Sequence, residues 1–341
     1  MTARLRGFHR WLVHEDALPL MLAAVLLLVL PAVPNRLILD ILVLIGIYTI
    51  VCLGLSLIFG YAGQLSLTQA AFYGIGAYTS AILTRKLGLP FWVGFLGAGA
   101  LSAAVAYALG APLLRLRHFY LAMATLAFGE VVGVFFVQQI SITGGPTGIV
   151  NVPFARLGPV LLDETWKYYY FVLLVAALAF LFSRNLVRSK IGRALVAIGS
   201  TEIGAAAMGV NVTRYKLLMF ALSGLYAGLA GSLYAHYLTF VGPDSFTTDF
   251  SILLVVMIGV GGIHTLWGAV LGAVFAATAP TLLSSYREYS MLLYGVLLVV
   301  LMMFLPEGLG GVLQRLGNRA GLGRAAVPEA TAPGLESGRL W

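Results

Sequence analysis

Charge is what this sequence has least of. Only 10% of its 341 residues are Asp, Glu, Lys or Arg. A soluble domain carries about 25%, so a water-facing surface of ordinary size cannot be built here. Cysteine is nearly absent as well. Cys52 stands alone inside an apolar run, which excludes a disulfide framework and a cysteine-based zinc site within one chain. It reads as a small buried hydrophobe. Catalytic patterns are missing too. No His-Glu-x-x-His or Gly-x-Ser-x-Gly occurs, His9 and His14 lie near the N-terminus, and His118, His236 and His264 are far apart. A phosphate-binding loop needs a Gly-Lys pair, yet Lys86, Lys167, Lys190 and Lys216 follow Arg, Trp, Ser and Tyr. The chain is therefore expected to be no enzyme, with no catalytic residue and no metal or cofactor of its own.

What is present is apolar length. Hydrophobic residues make up 60% of the chain, with 40 glycines and 16 tyrosines. This suits a helical membrane bundle, where small residues let helices approach and aromatics mark the interfaces. A bilayer-crossing helix needs about 20 apolar residues. Runs at 17–34, 37–59, 89–111, 118–140, 166–183, 215–241 and 290–306 qualify. Arg4, Arg6 and Arg10 ahead of the first run resemble a signal peptide, but the run ends in Pro-Ala-Val-Pro-Asn without a cleavage pattern, so a retained span is expected. Two regions are apolar but broken. Residues 60–84 carry Gly60, Gly63, Gln64, Ser66, Gln69, Gly74 and Gly76, and residues 250–283 carry Gly259, Gly261, Gly262 and His264. Counting the second as two segments gives an all-α polytopic membrane protein of about ten transmembrane segments, nine being the alternative.

The net charge of +8 gathers in short gaps between the runs, a topology signal rather than a nucleic-acid footprint. The 184–216 loop holds Arg184, Arg188, Lys190, Arg193, Arg214 and Lys216 against Glu202 alone, and Arg115 and Arg117 mark a second inner loop. The 242–249 gap has Asp244, Asp249 and no base, and 141–165 has Arg156 against Asp163 and Glu164. Inner-membrane residence with both termini cytoplasmic follows. Arg85 and Lys86 then fall outside, against the rule. This divides the chain into a cytoplasmic tail (1–16), a transmembrane domain (17–306) with a cytoplasmic loop at 184–216, and a largely disordered cytoplasmic tail (307–341).

Unwound backbone at membrane depth is tolerated only where it lines a cavity or is buried in protein, and paired interruptions point to a substrate path. The pairs Gly224–Gly228, Ala227–Gly231 and Gly268–Gly272 have the spacing of close helix packing. Glu130, near the middle of its run, is a functional candidate or a hydrogen-bonded packing residue. Alone it makes a proton relay unconvincing. In the inner loop Ser200 and Thr201 are candidate N-caps and Gly209 a natural C-cap. The short alanine-rich helix between them fits either a membrane surface or a partner's groove.

The stretch Gly60-Tyr-Ala-Gly-Gln-Leu-Ser-Leu-Thr-Gln-Ala-Ala-Phe-Tyr-Gly-Ile-Gly-Ala-Tyr-Thr79 resembles the branched-chain amino-acid ABC transporter permease family, the LivM-type subunit in particular. Leu114 to Glu130, Thr143-Gly-Gly-Pro-Thr-Gly148, the 189–224 loop and Met257 to Gly272 are similar to further blocks of it. Thr68, His118, Gly199, Ser200, His264 and Ala269 depart from its usual residues. The resemblance implies a LivH-type permease partner, two cytoplasmic ATPase subunits carrying ATP and Mg, and a periplasmic or lipid-anchored solute-binding protein. It implies ATPase coupling through Glu202, Ala205, Ala206 and Gly209. The interrupted segments and Glu130, for their part, are read as a solute path past Gln64, Ser66, Gln69, Gly74, Gly76, Thr125, Glu130, Gly261 and Gly262. The family also includes permeases for urea and short amides. The rival from another class is an ion-coupled secondary transporter.

Overall fold

A computed structural model describes residues 36–114, 116, 119–157 and 160–283, with scattered positions beyond (295, 298, 299, 303 and 308–310). The expected first span, nearly all of 290–306, both tails, Arg115, Arg117 and His118 lie outside the described residues.

Helix α1, Arg36–Leu55, has 20 residues, about 30 Å at the α-helical rise and so about one hydrocarbon thickness. It runs on as a wider π-helical stretch, Ser56–Tyr61. The chain is then non-helical until α2, Gln69–Ala81, which closes with another π stretch, Ile82–Lys86. Next come α3 (Phe91–Leu113), α4 (Phe119–Gln138), α5 (Thr165–Arg188), α6 (Lys190–Ser200), α7 (Glu202–Ala207), α8 (Val212–Leu238), α9 (Thr248–Gly261) and α10 (Leu266–Leu283). Five stretches, Arg36–Tyr61, α3, α4, α5 and α8, are long and apolar enough to cross a membrane. The pair α9 and α10 qualifies only jointly and is bent by 118° at its break. The described residues thus make an all-α, multi-pass membrane protein with five spans, or six with the bent pair, where the sequence led us to expect about ten over the whole chain.

Two short antiparallel ladders mark one end of the bundle, hereafter the strand end. Strand β1 (Ile149–Val150) pairs with β4 (Phe240–Val241), and β2 (Arg156–Leu157) pairs with β3 (Val160–Leu161). Arg85 Nε donates to Val150 O at 2.9 Å, and Lys86 Nζ donates to Ser141 O and Ile142 O at 2.7 and 2.8 Å. Both cations that broke the charge rule are therefore bound to carbonyls, at the same end as the acidic 242–249 segment. The basic 184–216 loop lies at the far ends of α5 and α8, the loop end.

Small residues set the packing at the centre. A side chain at Gly228 would overlap Ser102 and Ala98 O of α3, and one at Gly231 would overlap Tyr73 O of α2. Gly261 abuts Gly268 in the same way, and Gly272 abuts Met257 O. These are the contacts expected from the small-residue spacing. Polar groups between the helices are paired into chains. His236 Nδ1 faces Pro153 O at 2.7 Å. A carbonyl only accepts, so Nδ1 carries the proton and Nε2 accepts from Ser80 at 2.9 Å. Ser80 in turn accepts from Ser232 at 2.7 Å. Helix α4 instead turns much of its apolar surface outward, with Phe119, Tyr120, Met123 and Val131 exposed.

Candidate functional site

The first break is held by hydroxyls lent from three helices. Ala62 to Leu67 is non-helical; Gln64 N reaches back to Ile58 O at 3.0 Å, and other amides turn to side-chain acceptors. Leu67 N donates to Thr125 Oγ1 of α4 at 3.1 Å, and Ala70 N donates to Ser251 Oγ of α9 at 3.0 Å. Gln69 Nε2 donates to Ser223 Oγ of α8. Ser66 and Thr68 share a hydrogen bond of 2.8 Å. Gln64, Ser66, Thr68, Gln69 and Thr125 are all buried. The amide oxygens of Gln64 and Gln69 have no hydrogen-bond partner among the described residues. An unsatisfied buried acceptor costs about 1–3 kcal/mol, so a hydrogen-bond donor placed here would relieve it.

The second break lies between α9 and α10, where Gly262 adopts φ +118°, a backbone that L side chains rarely take. The two breaks meet. His264 Nδ1 donates to Gly60 O at 2.9 Å, and any side chain at Gly60 would overlap Ile263 O. Ile263 and His264, directly after Gly261 and Gly262, thus sit against Gly60 in the π stretch that follows α1. A third element touches the junction. A methyl on Gly199, near the end of α6, would come within 2.7 Å of Tyr61 O, and Gly63 packs on Gly199 in return.

The other expected path residues are elsewhere. Gly74 backs onto the rings of Phe136 and Phe246, and Gly76 onto the backbone of Gly228 in α8, so both occupy helix contacts. Glu130 lies on the exposed side of α4, where its carboxylate accepts from the Thr248 hydroxyl at the start of α9.

At the loop end, Ser189, Thr201 and Asn211 cap α6, α7 and α8, accepting from Ile191 N, Gly204 N and Arg214 N. Of the two expected caps Thr201 serves, while Ser200 ends α6 with its hydroxyl donating to Val196 O at 3.0 Å. Gly209 follows α7 with φ +81°, as its reading as a helix stop required. Glu202 is ion-paired with Lys216 of α8, whose side chain is buried. Ala205 is buried beneath α7, whereas Ala206 and Gly209 are exposed. Ile203 and Met208, passed over in the sequence, are each 85% exposed. The available signal was an apolar residue at either end of a helix too short to bury both.

Compared with known proteins, the family described as "Branched-chain amino acid transport system / permease component" matches residues 37–302. The chain belongs to this permease family. The permease is 36% identical over 318 residues to the LivM permease protein of a high-affinity branched-chain amino acid transport system in Salmonella typhimurium, covering 86% of this chain and 75% of that one. It is likewise 36% identical over 315 residues to LivM of Escherichia coli, covering 85% and 74%. LivH of Escherichia coli is 22% identical over 289 residues, covering 77% of this chain and 91% of its own. These relatives are permease components of transport systems, not enzymes. No solved structure matches. Both breaks and the α6–α7 loop fall inside the matched region of the permease.

Proposed function

We propose that the permease is the LivM-type membrane subunit of an ATP-driven importer for branched-chain or related amino acids in the inner membrane. The observation that carries this is the junction of Gly60, His264 and Gly199. It joins two interrupted helices to the loop that a cytoplasmic motor would push. In this reading α7 docks on an ATPase subunit through Ile203 and Met208, with Glu202 held back by Lys216 to fix the helix on α8. Ala205 seats the helix, while Ala206 and Gly209 keep the docking face smooth. Motion of α7 and α6 bears on Tyr61–Gly63 and shifts the first break, where Gln64, Ser66 and Gln69 offer polar groups. Thr125 steadies that break, and Gly261 and Gly262 let the second one follow. Gly74, Gly76 and Glu130 act in packing around the path rather than on the solute.

The same reading places the loop end and both termini in the cytoplasm and the strand end outside. A LivH-type permease completes the membrane unit, two ATPase subunits bind ATP and Mg, and a solute-binding protein delivers at the strand end. The test is reconstitution of the complex in vesicles loaded with ATP. Uptake that survives collapse of ion gradients by ionophores supports the importer. Uptake that stops with the gradients and ignores ATP assigns the chain to ion-coupled carriers instead.

A further inference from the structure

At the strand end a cavity of about 320 Å³ opens between α1, α2, α8 and the start of α9. Its size is at the low end for ligand pockets, fitting a single amino acid better than a peptide. Tyr48, Tyr73, Tyr234 and Phe250 form its walls. Tyr73 is the centre, with ring centroids 5.4 Å from Tyr234 and 5.3 Å from Phe250, and Phe250 lies 5.6 Å from Tyr48. Asp244 and Asp249 also line it, both exposed, with Leu253 beside them. Among the described residues, no Lys, Arg or His lines this cavity.

The acids alone have a simpler account, since each lies in the first turn of a helix whose N-terminus favours negative charge. Tyr73 does not. It is 1% exposed, it lines the cavity, and its hydroxyl has no hydrogen-bond partner among the described residues. Tyr234, by comparison, donates to Ser245 Oγ at 3.3 Å. A buried phenol left unpaired destabilises the fold, and a donor in the cavity relieves it. Aromatic faces, two carboxylates and a free acceptor together describe a receptor for an ammonium group.

We propose that this cavity binds primary ammonium compounds, and that in the transport cycle it takes the α-ammonium of the incoming amino acid. The ammonium donates to Tyr73 Oη and is held by Asp244 and Asp249 against the rings, with the aliphatic part toward Leu253. The second clause rests on the importer reading; the binding chemistry does not.

The experiment uses the assembled complex in lipid nanodiscs and labelled isopentylamine, which is leucine without its carboxylate. Saturable binding is expected, displaced by leucine and not by 4-methylpentanoate, which lacks the ammonium. The pair Asp244→Asn and Asp249→Asn is expected to weaken binding about tenfold or more. Tyr73→Phe is expected to weaken it several-fold while thermal stability stays equal or rises, because an unpaired hydroxyl has gone. A purely structural Tyr73 would change stability and leave binding alone. Displacement by 4-methylpentanoate as effective as by leucine, or wild-type affinity in the Asn pair, overturns the proposal. If the complex imports no leucine but the amine binds with this dependence, the importer reading falls and the ammonium site stands. If leucine import and amine binding are both unchanged in the Asn pair, the site falls and the importer stands.

Discussion

His236 does its work by joining three parts of the chain. Its two nitrogens tie α8 to Ser80 in α2 and to Pro153 in the strand-end connection. His236→Ala leaves a buried carbonyl and a serine pair unsatisfied, an expected loss of about 2–4 kcal/mol. A lower unfolding temperature of the detergent-solubilised protein checks this, and an unchanged one would sink it. Gly76 sits in a helix contact. The sequence offered it as a path residue, and the structure sets it against the backbone of Gly228. Gly76→Val is therefore expected to reduce the amount of folded protein, not to block transport in an intact complex. Quantifying folded protein by size-exclusion chromatography distinguishes the two. The tyrosines of the strand-end cavity were read only as interface aromatics. Nothing in their spacing announces that Tyr48, Tyr73 and Tyr234 share a wall.

At the scale of elements, the breaks were legible because glycine, glutamine and serine interrupt apolar runs that otherwise match a helix. The meeting of the breaks was not. It depends on how α9 and α10 are laid against α1, which no local pattern encodes. Part of the environment of α7 was illegible for a related reason. Sequence shows Glu202 opening α7, but its pairing with Lys216 belongs to tertiary structure, and it draws the carboxylate toward α8. Two outcomes follow for the loop. Replacing Ile203 and Met208 together by Asp is expected to release the ATPase subunits during mild-detergent purification while the permease still folds, since both side chains are exposed. Retention in full stoichiometry would refute docking there. Gly199→Val is expected to keep the ATPase bound but separate its hydrolysis from uptake, because the added side chain wedges α6 away from Tyr61. Coupled wild-type rates would show that this contact carries no motion.

The molecule as a whole has two unlike ends. The charge rule assigns one end to each side, with Arg85 and Lys86 as exceptions, and both of these donate to carbonyls, of Val150 and of Ser141 and Ile142. The expected orientation is checked with single cysteines in a Cys52→Ala background. Ser200 serves as the loop-end reporter because it is exposed, whereas Ser183 is buried against Tyr226. Cysteine at Thr247 should label in intact cells, and cysteine at Ser200 only after the membrane is opened. The reverse pattern inverts the whole assignment.

The bond from His264 to Gly60 has one more consequence. A single neutral hydrogen bond contributes about 0.5–1.5 kcal/mol net, only one to three times the thermal energy. In the importer reading proposed above, this polar tie between two broken helices would be a latch that thermal agitation alone can spring and reset. A joint closed this weakly could then alternate while the glycine-packed helices around it stay shut.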